Sequence, residues 1–157
     1  MGIGNMETLG VELQLNSVAE NGYFTGYASV FDHVDKQQDI MLAGAFAAAV
    51  EGVEKVKLLW QHDVLQPIGR IEYMEEDDHG LYVEARLLLD VQQAREAYAL
   101  LTGGAIGGLS IGYNVSDSVL DYDSGIRLIR AVDLYEISLV TFPANERARV
   151  ERVKHLV

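Results

Sequence analysis

The segment Leu109-Ser110-Ile111-Gly112-Tyr113-Asn114-Val115-Ser116-Asp117-Ser118-Val119-Leu120 runs into Asp121-Tyr122-Asp123-Ser124-Gly125 and then into Ile126-Arg127-Leu128-Ile129-Arg130-Ala131. Its reading decides the fold. Apolar and small or polar residues alternate over Leu109 to Leu120, which is the signature of a long strand. A polar run ending in glycine then marks a turn, and a second strand follows. Asp121-Tyr122-Asp123-Ser124-Gly125 imitates the opening of a calcium loop, but the later Glu of an EF-hand is missing at the required spacing. The segment is therefore a hairpin.

The same reading extends in both directions. Val11 to Ala19 alternates as a strand, and Gly22 to Phe31 is a second one, with Asn21-Gly22 between them as a hairpin signal. Alanine-rich Gly44 to Val50 predicts a short helix. Lys55 to Gln61 and Pro67 to Met74 read as strands, Glu75 to Gly80 as a polar turn, and Leu81 to Leu89 as a further strand. Val91 to Leu101 places Val91, Ala94, Tyr98 and Leu101 on one helical face, and Gly103-Gly104 stops that helix. Leu134 to Phe142 is the last strand, and the residues after Asn145 predict a short charged helix. Seven or eight short strands and two helices, without regular βα alternation, predict a mainly β fold with flanking helices: a small antiparallel sheet curled into a barrel.

Composition narrows the function classes. A chain of 157 residues with 49% hydrophobic residues supports one domain with a real core. The absence of cysteine excludes a disulfide scaffold, thiol catalysis and cysteine-based zinc sites. A net charge of -12 argues against direct nucleic-acid binding, which needs a basic surface. No apolar run reaches the ~18 residues that span a membrane. Met1 to Met6 reads neither as a signal peptide nor as a myristoylation site. No cofactor or metal site is expected.

Three residues carry chemistry. Ser110 lies in Gly108-Leu109-Ser110-Ile111-Gly112, on the less apolar face of its strand and after a glycine-rich loop able to offer amides to an oxyanion. The pentapeptide also matches the nucleophile elbow of α/β-hydrolases. That motif runs strand, serine, helix, whereas here a helix precedes the serine and a strand follows. Val56, Leu58, Trp60 and His62 share one strand face, so His62 ends an apolar stripe as a candidate base. His33, His79 and His155 have no such setting. Glu136 points away from the face of Tyr135, Ile137 and Leu139 within an apolar strand, as does Ser138. A buried carboxylate there needs a partner, and His62 can supply one.

Taken with Phe24 to Phe31, Asp35, Asp39, Gly44-Ala45-Phe46, Leu59-Trp60-Gln61-His62, Pro67-Ile68-Gly69, Gly80-Leu81-Tyr82-Val83, Glu136 to Val140 and Pro143-Ala144-Asn145, these motifs resemble the prohead maturation proteases of tailed bacteriophages. That family is similar in fold to the herpesvirus assemblins. The resemblance implies an assemblin-like barrel, and a single protease domain is expected over residues 1–157, with 1–8 a flexible N-terminus. It implies Ser110 as nucleophile, His62 as general base and then acid, and Glu136 as the orienting acid. The glycine-rich loop and Pro143-Ala144-Asn145 are its candidate oxyanion-hole elements. It implies cleavage of the scaffolding segment of the major capsid protein, and of the protease itself, within the procapsid in the bacterial host cytoplasm. A homo-oligomer, such as the assemblin dimer, is also implied. The family often carries a further C-terminal tail, whereas this sequence ends at Val157. Two other classes stand beside this reading: a non-catalytic capsid-assembly module on the same barrel, and a hydrolase of small esters.

Overall fold

The computed structural model describes residues 7–14 and 22–144. In chain order the elements are β1 (Glu7–Gln14), β2 (Tyr23–Val30), β3 (Asp39–Met41), α1 (Ala47–Glu51), a 3-10 turn (Val53–Lys55), β4 (Lys57–Trp60), β5 (Asp63–Glu76), β6 (Gly80–Leu87), α2 (Gln92–Thr102), β7 (Gly108–Leu120) and β8 (Arg127–Val140).

Strand pairing runs in the order β8, β4, β5, β6, β2, β1, β7 and returns to β8. The sheet therefore closes on itself as a ring of seven strands. Phe24, Leu58, Leu81, Val83, Leu109 and Ile137 belong to the hydrophobic core inside it. β3 lies outside the ring, beside the first residues of β8. There Arg127 forks onto Asp39, Nε to Oδ1 and Nη2 to Oδ2, both at 2.9 Å. Asp35 Oδ1 accepts the amides of Gln37 and Asp39 and so shapes the turn into β3. Burial pushes the Asp35 carboxyl above the usual carboxylate range. The motif aspartates thus serve the fold.

Helix α2 buries Ala94, Ala97 and Leu101. It ends in a Schellman arrangement, in which Gly104 adopts φ 76° while Gly104 N–H and Ala105 N–H donate to Leu101 O and Leu100 O. Glycine meets the positive φ at no steric cost, and the chain turns directly into β7.

The mainly β reading holds, with differences that have physical causes. β4 and β3 pair with β8 in parallel, whereas every other ring pairing is antiparallel. A parallel partner must arrive by a long crossover, so no local turn signal announces it. The two strands read on either side of Val132-Asp133 are one strand, β8, because Val132 and Leu134 are buried around an exposed Asp133. β5 starts at Asp63, before Pro67. Strand β3 and the 3-10 turn escaped the sequence reading. A two-residue turn at Asn21-Gly22 would set Leu13 opposite Val30, but Leu13 pairs with Gly26. Residues 15–21, Asn21 among them, lie outside the described residues. Residues 1–6 and the C-terminal helix expected after Asn145 also lie outside them.

Gly80 faces a bulge in β2, and a Cβ built there would stand 1.9 Å from Ser29 O. No rotamer change can relieve a clash with backbone, so Gly80→Ala should cost roughly 1–3 kcal/mol of stability. Gly52→Ala, whose Cβ would meet nothing closer than 3.5 Å, should stay within about 0.5 kcal/mol of the original chain. Denaturant melts of the two variants check this pair.

Candidate active site

β4 and β5 are joined by the two residues Gln61 and His62, with Trp60 opposite Asp63. Both adopt left-handed φ, 52° and 61°. This is the geometry of a type I′ hairpin turn, which normally calls for Asn-Gly. Non-glycine residues pay roughly 1–2 kcal/mol each for that conformation. Bonds to β8 hold the turn in place. Gln61 N–H donates to Leu139 O at 2.9 Å, and Gln61 Nε2 donates to Thr141 Oγ1 at 2.7 Å. Thr141 N–H returns a bond to Gln61 Oε1 at 3.2 Å, and His62 N–H donates to Ser138 Oγ at 3.0 Å. His62 therefore sits in a strained, stapled turn rather than at the end of a strand stripe. Strain held by surrounding structure is a recurrent feature of functional sites.

Strand β8 lies between β4 and β7. Ser138 is opposite Ser110 on one side and Leu59 on the other, and Glu136 is opposite Gly112 and Lys57. The parallel run of β4 and the antiparallel run of β7 bring the end of β4 and the start of β7 to the same end of β8. The reversed turn carries the imidazole over that end. His62 Nδ1 lies 2.5 Å from Glu136 Oε2, and His62 Nε2 lies 2.9 Å from Ser110 Oγ. Glu136, Ser138 and Ser110 are buried, while the His62 side chain keeps 26% of its surface exposed.

The chemistry follows from donors and acceptors. An ionised Glu136 only accepts, so the tautomer assigned by this network has Nδ1–H donating to Oε2. Nε2 then carries the lone pair and can accept the Ser110 hydroxyl proton. Ser138 Oγ–H donates to Glu136 Oε1 at 2.7 Å. The carboxylate is thereby satisfied in a site where an unpaired charge would be costly. The partial exposure of His62 leaves the imidazole reachable from one side.

All three residues singled out in the sequence, His62, Ser110 and Glu136, are thus within hydrogen-bond contact of one another in series. Ser138 belongs to the same network and was read only as sharing the face of Glu136; the Glu-x-Ser spacing was the available signal. Tyr135 departs from the apolar face expected of it. A register shift opposite Gly112 and Tyr113 turns it outward, 39% exposed, where its hydroxyl accepts from Asn114 Nδ2 at 3.2 Å. The Asp121 to Gly125 segment is a hairpin turn, with Asp121 Oδ1 accepting from Asp123 N–H and Ser124 Oγ from Ile126 N–H. His79 stacks edge-on against Tyr27, away from this network. His155 and Asn145 lie outside the described residues. Of the two segments expected as candidate oxyanion elements, Pro143 packs against Gly108, where a Cβ would come within 2.9 Å of Pro143 Cδ. Among the described residues, no group of three or more His, Asp or Glu could hold a metal ion.

Comparison with known proteins gives concordant matches. A family model described as caudovirus prohead serine protease matches residues 11–156. The prohead protease of Enterobacteria phage HK97 is 34% identical over 146 residues, 91% of this chain and 65% of that protein. The prohead protease of Escherichia phage T5 is 25% identical over 134 residues, 83% of this chain and 62% of that protein. This chain thus spans less than two thirds of the length of either relative. A capsid polyprotein of Pseudomonas phage PAJU2 is 28% identical over 108 residues, 64% of this chain and 16% of that protein. In fold, the chain is similar to the bacteriophage T4 capsid assembly protease, with a TM-score of 0.64 at 15% identity over 89% of this chain and 100% of that one.

The clamp on the His62 turn is testable apart from any activity. Gln61→Ala deletes both side-chain bonds to Thr141 and keeps an unfavourable residue in the left-handed position. It should lower stability by about 1 kcal/mol. Thr141→Val should cost less, because the Thr141 amide keeps its acceptor on Gln61. Equal melting curves for Gln61→Ala and the unaltered chain would show that the turn holds without the Gln61 side chain.

Proposed function

We propose, from the premise that this chain belongs to the caudovirus prohead serine protease family, that it is a serine endopeptidase acting through an acyl-enzyme on Ser110. The observation that carries this reading is the series Glu136 Oε2, His62 Nδ1, His62 Nε2, Ser110 Oγ, spaced at 2.5 and 2.9 Å. Both distances fall within hydrogen-bond reach, as acid–base transfer requires.

The steps follow from these atoms. His62 Nε2 removes the Ser110 proton as Oγ attacks a peptide carbonyl, and the imidazolium that forms is stabilised by Glu136. The tetrahedral intermediate collapses as Nε2 gives the same proton to the leaving amine. Water then enters, loses a proton to Nε2 and attacks the acyl carbon. Ser110 recovers its proton as the new carboxyl group departs. Glu136 fixes the tautomer throughout.

The substrate proposed is the scaffolding segment of the major capsid protein, together with the protease chain itself, inside the procapsid in the bacterial host cytoplasm. Supporting this are the prohead proteases of phages HK97 and T5 among the relatives, and the capsid polyprotein of phage PAJU2, which contains a stretch similar to this chain. A homo-oligomer is proposed as the working form, and residues 1–157 as one protease domain.

Co-expression with the capsid protein of the same locus, read by intact mass, tests the activity. The unaltered chain should remove a discrete capsid segment that Ser110→Ala leaves attached. Identical masses in both samples, from particles that contain this protein, would overturn the protease reading in favour of an assembly module. Glu136→Gln should slow cleavage by about 10⁴-fold, because an amide facing Nδ1 permits the wrong tautomer. Time courses of the released segment measure that loss.

A further inference from the structure

The two bonds of the Ser138 hydroxyl lead to both halves of the acid–base pair. Oγ–H donates to Glu136 Oε1 at 2.7 Å, and Oγ accepts the backbone N–H of His62 at 3.0 Å. We propose that Ser138 is a positioning residue for the proposed cleavage reaction, setting the carboxylate and the imidazole relative to each other. This rests on the assignment of His62, Ser110 and Glu136 made above.

A serine hydroxyl has one proton, and here it is committed to the carboxylate. That commitment turns the oxygen lone pairs toward the His62 amide, so one atom fixes the direction of both contacts. Engaging Oε1 holds the carboxylate plane and presents Oε2 to Nδ1. Anchoring the His62 amide holds a residue whose φ of 61° would otherwise relax. Ser138 has no solvent exposure. Water therefore has no ready access to replace the hydroxyl, and deleting it strands a buried carboxylate oxygen and an amide.

The position is also constrained by pairing. Ser138 lies directly opposite Ser110 across β7–β8 and opposite Leu59 across β4–β8. It therefore lies on the strand that joins the nucleophile-bearing strand to the base-bearing turn. Both bonds of the hydroxyl go to Glu136 and His62, so its influence passes through them.

The test uses Ser138→Ala and the near-isosteric pair Ser138→Thr and Ser138→Val, which differ in the hydroxyl alone. Turnover is measured on a peptide spanning the cleavage point mapped by intact mass. Ser138→Ala should lower kcat by about 10- to 100-fold with KM within about twofold, and Ser138→Thr should retain far more kcat than Ser138→Val. In a Ser110→Ala background, the far-downfield proton resonance of the His62–Glu136 bond should move upfield and exchange faster when Ser138 is replaced by Ala or Val. The proposal is overturned if that resonance stays in place in Ser138→Ala, or if Thr and Val variants have equal kcat. Lack of turnover by the unaltered chain would instead defeat the protease reading, while the resonance would still report on Ser138.

Discussion

The parallel pairing of β4 with β8 is the constraint on which the site depends. Lys57 to Trp60 run alongside Glu136 to Leu139 in the same direction. β7 meets the opposite edge of β8 in antiparallel register, with Ser110 facing Ser138. The end of β4 and the beginning of β7 therefore converge. If β4 were antiparallel to β8, its turn would lie at the far end of the strand, away from Ser110. Closure of the seven-strand ring locks this arrangement, because sliding β8 would break pairings on both of its edges at once.

Local strain and local bonding are matched at the turn. Left-handed Gln61 and His62 cost free energy in a sequence that could have used Asn-Gly. The contacts to Leu139, Thr141 and Ser138 offset that cost. The turn reverses the chain sharply enough for the imidazole to lie back over β8, where Glu136 is buried. A relaxed turn would give the histidine more freedom and the carboxylate less compensation. Burying Glu136 in β8 and tying His62 to the same strand solve one electrostatic problem together.

Gly80, Asp35 and Asp39 have a different role from His62, Ser110 and Glu136. Gly80 lets a β2 carbonyl approach, and Asp35 and Asp39 shape the outlying β3 segment. These residues hold the frame within which β8 is gripped from both sides.

Much of the candidate site was legible in the chain. Alternation over Leu109 to Leu120 marked a strand with Ser110 at its start, and the isolated carboxylate in Glu136-Ile137-Ser138 demanded a partner. These are consequences of period-two geometry and of the cost of burying charge, and both act locally. The ordered motifs supplied the family. The parallel contacts of β3 and β4 with β8, the left-handed turn at His62, the outward bulge at Tyr135 and the double contact of Ser138 were decided by tertiary structure. Each depends on segments remote in sequence arriving beside β8, as residues 61 and 62 do beside 138, 139 and 141. Local propensity does not encode that meeting. The closed ring of strands does, since it sets β4 beside β8 and brings His62 onto Glu136.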